Sequence, residues 1–585
     1  MTLLFESLGA FHRAWKRYLL FGLFDMLLTS FVFLPLRSAI LHRLLLTVSS
    51  GVLVNSKAYL LFFDLRGWLG ILVLMVMVLF FVFIEMGTLI LMSEDQNRGR
   101  TPYVSSGFIR SLQRFPRILG IDLILMALIL FVILPLIRVP IRPQALSGIA
   151  LPEILTEWIG MHPLISGMYW IILGALAYWF LRGIFTLHGC LVDQKSLREA
   201  FKTSLQRTRR GSLVLVTQLI LFNMVLFLAG TVSFAFLAKA GGLVGSSTPS
   251  AMGQMLVMFS GVLTMVSSVL LMPLNMIFLT RLHDRNAAQL PSAAVEAGAF
   301  EKKCIQYERS IYQFFGKRKS ATVVLMAVVL LLSYGLGSIA GQKTIYGGRP
   351  VEVVSHRAVV EDEVENSLEA IRASLEAGID AVGIDVQMTL DGVIVLHHDR
   401  SLKRIHGVDA NIDSLTYDEL NELMHAMAHP TASERIQFPT LAEALALIDG
   451  EMELHIDCKT YGKPEELAKG ILEQVVAAKM QESVVLQSFD RDFHRSVEAL
   501  SPAIRTSQIL YFALGDLNRL EADDLTIHRG MLDHDLVGRA RYHEKGIWVW
   551  TLNTEDSVKE ALQYDIDGII TDRPLMVMEI LGRGE

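Results

Sequence analysis

The chain has 585 residues, 52% of them hydrophobic and only 19% charged, with a formal net charge of -6. Soluble proteins carry about 25% charged residues, so part of this chain must sit in lipid. The small net charge mixes two unlike halves, and no basic stretch interleaved with aromatics argues for a nucleic-acid partner.

A membrane span needs about twenty mostly apolar residues. Such runs cover 18–36, 69–92, 118–137, 164–186, 212–238, 254–280 and 321–340, which predicts an all-α, multi-pass domain of seven helices over residues 1–340. Segment 39–54 is shorter and contains His42 and Arg43, so it reads as an interfacial or re-entrant helix, with an eighth span as the alternative. Nothing at the N-terminus reads as a cleavable signal peptide, because Asp25 interrupts the first apolar run. Basic residues cluster before the first span (Arg13, Lys16, Arg17) and at 98–117, 195–210 and 302–319, while loops 138–163 and 239–253 are poor in them. Cytoplasmic loops carry such excess, so the expectation is a cell-membrane protein with a cytoplasmic N-terminus and residues 341–585 outside. Loop 37–66, with Arg37, Arg43, Lys57 and Arg66, objects to that order.

Two of the basic loops share a pattern. Phe108-Ile109-Arg110-Ser111-Leu112-Gln113-Arg114 matches Phe201-Lys202-Thr203-Ser204-Leu205-Gln206-Arg207 at five of seven positions. An internal repeat is one reading; convergence of basic amphipathic helices beside membranes is the other. Asp25, Glu85 and Asp122 fall within apolar runs, where a carboxylate is costly and marks function unless it reaches water.

Residues 341–350 form a short polar linker. Beyond it, strands are predicted at 352–355, 381–386, 393–397, 452–457, 483–487, 505–510, 524–528, 547–551 and 568–571. Helices are predicted at 366–377, 440–448, 464–478, 490–500, 533–544 and 554–563. This alternation over 351–585 implies a parallel sheet wrapped by helices, and its length suits an α/β (β/α)8 TIM-type barrel. Leu390-Asp391-Gly392 is too short for a crossover, so 393–397 is expected to return as a hairpin. Of the three cysteines, only Cys458 lies beyond the apolar half, so the barrel has no internal disulfide.

Chemistry in such barrels gathers at the C-terminal strand ends. There stand His356 and Arg357 after the first strand, Asp385 on the second, His398 and Asp399 after the hairpin strand, and Trp550, Asn553 and Asp572 late in the chain. On strand 452–457, His455 and Asp457 share a face, with Lys459 continuing it. Two imidazoles exchange protons near neutral pH, carboxylates hold a divalent cation, and arginine binds phosphate. That set suits hydrolysis of a phosphate ester.

His356-Arg357, Glu365-Asn366-Ser367, Asp385-Val386-Gln387-Met388-Thr389-Leu390-Asp391-Gly392, His398-Asp399 and Phe438-Pro439-Thr440-Leu441 occur in that order. Gln487-Ser488-Phe489-Asp490, Trp550-Thr551-Leu552-Asn553-Thr554 and Asp567-Gly568-Ile569-Ile570-Thr571-Asp572-Arg573-Pro574 follow. This series resembles the glycerophosphodiester phosphodiesterase family, and the apolar half is similar in architecture to the membrane module fused to such enzymes. The resemblance implies a barrel hydrolase that cleaves glycerophosphodiesters to glycerol 3-phosphate and an alcohol; the membrane half adds lipid-linked or lysophospholipid substrates presented by the bilayer as candidates. It implies His356 and His398 as the acid/base pair and Arg357 and Lys459 on phosphate oxygens. Glu365 and Asn366 would line the glycerol and phosphate site, and Trp550 would pack on substrate. A divalent metal, Mg2+ or Ca2+, would sit on Asp385 and Asp457.

The family pattern has a glutamate two residues before Asp385, where this chain has Gly383, and a glutamate where it has Asp457. Its usual glycine after His-Arg is Ala358 here. A hard cation wants six or more oxygens, so three outcomes are open. The metal is held more weakly; His455 replaces the lost ligand and favours Mn2+ or Zn2+; or the barrel only binds phosphodiesters or lipid without cleaving them. A lipid phosphodiesterase forming a cyclic product would share the same chemistry.

Overall fold

The computed structural model describes residues 2–49, 51–55, 63–120, 159–225, 271–285, 298–317 and 350–583, apart from a few residues inside these ranges, chiefly 210–213 and 428–436. All or part of the spans expected at 118–137, 212–238, 254–280 and 321–340 lie outside the described residues, as do Asp122 and most of the 341–350 linker. The chain forms two compact units, one helical and one built on the barrel.

In the helical unit, long apolar runs without breakers give long helices. Among the described residues three are long and apolar enough to cross a membrane: Thr2–Val48, Leu65–Asn97 and Pro163–Leu191. The first is longer than the 18–36 run that announced it. A π-helical turn at Thr29–Phe33 precedes Pro35, which lacks an N–H and would otherwise clash with the preceding turn. Segment 39–54 therefore corrects the expectation of a separate interfacial helix. It continues the first helix to Val48, breaks at Gly51 with φ +96°, and enters strand β1 at Val52–Val54.

Both copies of the seven-residue pattern close an 11-residue helix, Val104–Arg114 and Leu197–Arg207. Their serines, Ser111 and Ser204, are buried. Gly87 meets Ser111 and Gly189 meets Ala200 so closely that a Cβ on either glycine would clash. Asp95 pairs with Arg110 and Asp193 with Arg207. Asp25 and Glu85 are buried as well.

The second unit is a barrel. Its strands are β2 (Glu352–Ser355), β3 (Ala381–Met388), β4 (Ile394–Leu396), β5 (Glu453–Cys458), β6 (Val484–Ser488), β7 (Thr506–Leu510), β8 (Ala513–Gly515), β9 (Asp524–His528), β10 (Gly546–Trp550) and β11 (Gly568–Thr571). Eight of them run parallel in the order β2-β3-β5-β6-β7-β9-β10-β11, and β11 closes on β2. Strand β4 turns back antiparallel on β3 after Gly392 at φ +89°. Helix starts carry their own stop signals against fraying: Thr440 and Glu443 form a capping box, Ser367 caps Ala370, and Pro464 opens its helix.

Alternation along the strands sends one set of side chains outward to an apolar layer under the helices and the other into the barrel. Inside, Val354, Ala381, Trp548 and Ile570 pack together, and Gln487, Ser507 and Thr526 form a buried hydrogen-bonded polar group. His494, on the helix Arg491–Leu500, is 1% exposed and its Nε2 faces the Ser488 carbonyl at 3.2 Å. Burial pushes its pKa down to about 4. The unfolded chain therefore binds a proton near pH 6.5 that the folded state refuses until about 4, and stability falls as pH falls through that window. Acidification from pH 7 to 5 is expected to cost about 2 kcal/mol more in wild type than in His494→Gln. Thermal unfolding of the full-length protein in detergent at both pH values checks this; parallel losses in the two proteins would refute it.

Candidate active site

His356 and Arg357 occupy a sharp turn at the end of β2, with Arg357 at φ +57° and Ala358 at φ +63°. The left-handed conformation at a non-glycine residue costs on the order of 1 kcal/mol or more. The glycine of the family pattern thus marks a real backbone requirement that Ala358 meets with strain. The turn is held by Asn366 N–H donating to the Arg357 carbonyl at 2.9 Å and Ser374 Oγ donating to that of Ala358 at 3.0 Å.

Each predicted catalytic imidazole has a carboxylate on Nδ1. His356 Nδ1 lies 2.6 Å from Asp572 Oδ1, and Asp572 is in turn held by Asn553 Nδ2 at 2.6 Å. His398 Nδ1 lies 2.7 Å from Asp399 Oδ1, and Arg404 Nε donates to the other oxygen of Asp399 at 2.6 Å. Such a partner fixes the tautomer and leaves Nε2 for proton transfer. Burial lowers the pKa of His398, helped by the cations Lys459 and Arg357 against the opposing pull of Asp385. It is neutral at pH 7 and suited to accept a proton. Burial raises Asp572, but its bond from His356 outweighs this and holds it below the usual carboxylate range.

Asp385 sits at the centre. Burial alone would raise its pKa, but Lys459, His398, His356 and Arg357 together force it well down. Asn366, 3% exposed, clamps it by donating from Nδ2 to Oδ2 at 2.9 Å and accepting from the Asp385 N–H at 2.8 Å. The structure therefore places Asn366 as a support of Asp385. Glu365 accepts from Arg357 Nη1 at 3.0–3.1 Å and from both terminal nitrogens of Arg404. Lys459 Nζ bridges Asp385 Oδ1 at 3.0 Å and Asp457 Oδ2 at 2.6 Å. Arg357, Glu365, Asn366, Asp385, Asp457, Lys459 and both histidines thus share one mouth, as sequence reasoning expected.

Trp550 closes one side, with Nε1 donating to the Thr526 carbonyl at 3.1 Å. Its ring meets that of Phe489 at 6.1 Å, Phe489 meets Tyr511 at 6.0 Å, and Lys459 Nζ lies 5.7 Å from the Phe489 ring. On the other side a cavity of about 500 Å3 opens beside His398, lined by Arg400, Lys403, Arg404 and Tyr461.

His455 carries two readings from sequence, a replacement metal ligand or a hydrogen-bonding partner inside the barrel mouth. It is 1% exposed; Nε2 lies 2.8 Å from Glu453 Oε1, and Nδ1 accepts from Gln487 Nε2 at 2.8 Å. Its ring stacks edge-on against Trp548 at 4.4 Å. With both nitrogens engaged one layer below the mouth, it braces the barrel interior. Arg404 was missed outright. It lies on Lys403–His406, a helix too short to leave a periodic signal, yet it joins Glu365 to Asp399.

Residues 356–576 match the model of the glycerophosphoryl diester phosphodiesterase family, and residues 4–333, more than half of the chain, match the membrane domain of glycerophosphoryl diester phosphodiesterase. The chain belongs to this family. The phosphodiesterase is 27% identical over 244 residues to a glycerophosphodiester phosphodiesterase of Caldanaerobacter subterraneus subsp. tengcongensis, covering 40% of this chain and 98% of that protein. To a glycerophosphodiester phosphodiesterase of Bacillus altitudinis it is 25% identical over 243 residues, 39% and 97% of the two chains. Among solved structures it is similar to an Oleispira antarctica phosphodiesterase in complex with sn-glycerol-3-phosphate, at 24% identity and TM-score 0.35, covering 40% of this chain and 96% of that one. The membrane half makes this phosphodiesterase a membrane protein.

The family uses a divalent metal. Among the described residues no group of three or more His, Cys, Asp or Glu is arranged to hold one. Two carboxylates do converge, and Asp457 Oδ1 is buried without a hydrogen-bond partner. Burial, with the charge of Asp385 adding to it, raises Asp457 to about 6 despite Lys459. The donor set fits a hard cation held by two carboxylates, with water and substrate oxygens supplying the rest. Gly383 lies opposite His455 in the β3–β5 register and contributes no donor.

Proposed function

We propose that this phosphodiesterase hydrolyses glycerophosphodiesters presented at a membrane, including lysophospholipid-type substrates, by acid–base catalysis through His356 and His398. The observation that carries the reading is the pair of Asp-supported imidazoles flanking Asp385, Arg357 and Lys459. Arg357 and Lys459 bind the phosphoryl oxygens. His398, neutral at pH 7, accepts the proton of the attacking oxygen as the new P–O bond forms. His356, its Nδ1 toward Asp572, gives a proton to the departing alcohol oxygen as the old P–O bond breaks. A cation on Asp385 and Asp457, Mg2+ or Ca2+ by their oxygen donors, would neutralise charge developing on the phosphoryl group. Trp550 and Phe489 cover the substrate. The basic-residue pattern puts the N-terminus in the cytoplasm and the barrel, residues 351–585, outside.

The test is release of glycerol 3-phosphate from a glycerophosphodiester panel by full-length protein with Mg2+, Ca2+, Mn2+, Zn2+ or chelator. Metal-dependent turnover is expected; binding of the panel without turnover under any condition would favour the non-catalytic alternative. Gly383→Glu in the same assay is expected to lower the metal concentration for half-maximal activity by about tenfold, since added ligand charge tightens such sites. A Cβ there comes within 3.2 Å of the Ser355 carbonyl, so β2 must give slightly to admit it. An unchanged metal requirement would remove Gly383 from the metal seat.

A further inference from the structure

Strand β1 belongs to the barrel unit although its sequence lies between the first two long apolar helices. It adds antiparallel to β8, with Val52 opposite Gly515, Leu53 opposite Leu514 and Val54 opposite Ala513. Val52, Leu53 and Val54 are each 2% exposed, and Val52 and Val54 join the apolar core beneath the barrel helices. The next residue, Asn55, is also buried and makes three bonds to the chain leaving β7. Its Nδ2 donates to the Ile509 carbonyl at 2.7 Å, its Oδ1 accepts from the Tyr511 N–H at 2.9 Å, and its own N–H donates to the Phe512 carbonyl at 2.9 Å. Gly515, at φ +112°, allows the approach, because a Cβ there would run into the Gly51 carbonyl. This is strand addition with a side-chain clamp, a mode that ties backbone to backbone and sets register.

The clamp grips the loop that carries Tyr511, whose ring backs Phe489, the aromatic lying over Lys459 and against Trp550. We propose that Gly51–Asn55 is a working part of the phosphodiesterase barrel, with Asn55 as a positioning residue for the Tyr511–Phe489–Trp550 wall that receives substrate. The inference rests on the reading of that wall as a substrate surface. It makes substrate affinity of the barrel dependent on chain from the membrane half, while the histidines that carry the chemistry stay untouched.

The experiment has two arms on the full-length protein. In the first, Val54→Cys with Ala513→Cys is oxidised and cleaved by protease between the halves. Joining of the fragments on a non-reducing gel, absent in either single variant, is expected. Absence of the cross-link in the double variant would overturn the strand pairing whatever the enzyme does. In the second, binding of glycerophosphocholine is followed by tryptophan fluorescence, and turnover is followed where it occurs. Asn55→Ala and Gly515→Ala are each expected to weaken binding and raise KM by about tenfold with kcat within twofold, because the wall loosens while His356 and His398 keep their partners. Unchanged affinity in both variants, beside an intact cross-link, would overturn the positioning role. Because binding is read apart from turnover, failure of the catalytic reading leaves this result interpretable.

Discussion

His356→Ala is expected to lower kcat for glycerophosphodiester hydrolysis by about 10²–10⁴-fold, the usual contribution of a positioned general acid or base. The geometry singles out this side chain because its Nδ1 is anchored 2.6 Å from Asp572, itself held by Asn553. An imidazole so fixed does not need to reorient during the reaction. The loss should appear mainly in kcat, because Arg357 and Lys459 still bind the phosphoryl group. Folding should be little changed, since His356 is partly exposed and Asp572 keeps its bond from Asn553. Asp572→Asn should give a smaller loss, as the ring keeps its place but its Nδ1 faces an amide instead of a carboxylate. Steady-state kinetics beside a thermal unfolding curve make the check. If His356→Ala retains activity within tenfold of wild type and the same pH profile, the imidazole is not the proton donor.

Lys459→Met is expected to remove most activity by a different route and to destabilise the barrel. Lys459 is nearly enclosed and bridges Asp385 and Asp457, so its loss leaves two carboxylates facing each other in a buried site. Breaking such a pair by removing one partner costs about 3–5 kcal/mol. Lys459 also opposes the burial that raises Asp457, so without it Asp457 should titrate above its present value of about 6. A carboxyl with a raised folded pKa favours the folded state below its unfolded pKa and loses that advantage as pH climbs through the folded one. The variant should therefore regain stability between pH 7.5 and 5.5 relative to wild type, while kcat/KM stays at least about 10²-fold down at neutral pH for want of a phosphate-binding cation. Equal pH dependence of unfolding in the two proteins would mean that Lys459 does not hold this pair.

The barrel was legible because two periodicities were clean. Apolar strands of four to eight residues alternated with capped helices, and a parallel sheet of that length closes on itself. Every predicted strand of the soluble half was found within two residues of its place, the β4 hairpin included. Elements without a period escaped notice. The short helix Lys403–His406 brings in Arg404, and the three-residue strands β1 and β8 recognise each other across more than 450 residues of sequence.

Site residues followed the same division. His356, Arg357, Asp385, His398 and Lys459 could be named because residue type and strand-end position already restrict their chemistry. What each one touches could not be. Asn366, expected to line the substrate site, also clamps Asp385. His455 shares a strand face with Asp457, yet its nitrogens turn to Glu453 and Gln487, because depth along the strand decides the neighbours once the face is set. Sequence alone determined the fold class and the family and named the candidate reacting groups, since these depend on local pattern and residue chemistry. Tertiary structure alone decided which carboxylate supports which histidine, that Lys459 spans both acids, and that a strand from between two apolar helices pairs with β8. Those outcomes depend on distances between residues far apart in the chain, and no local pattern encodes them.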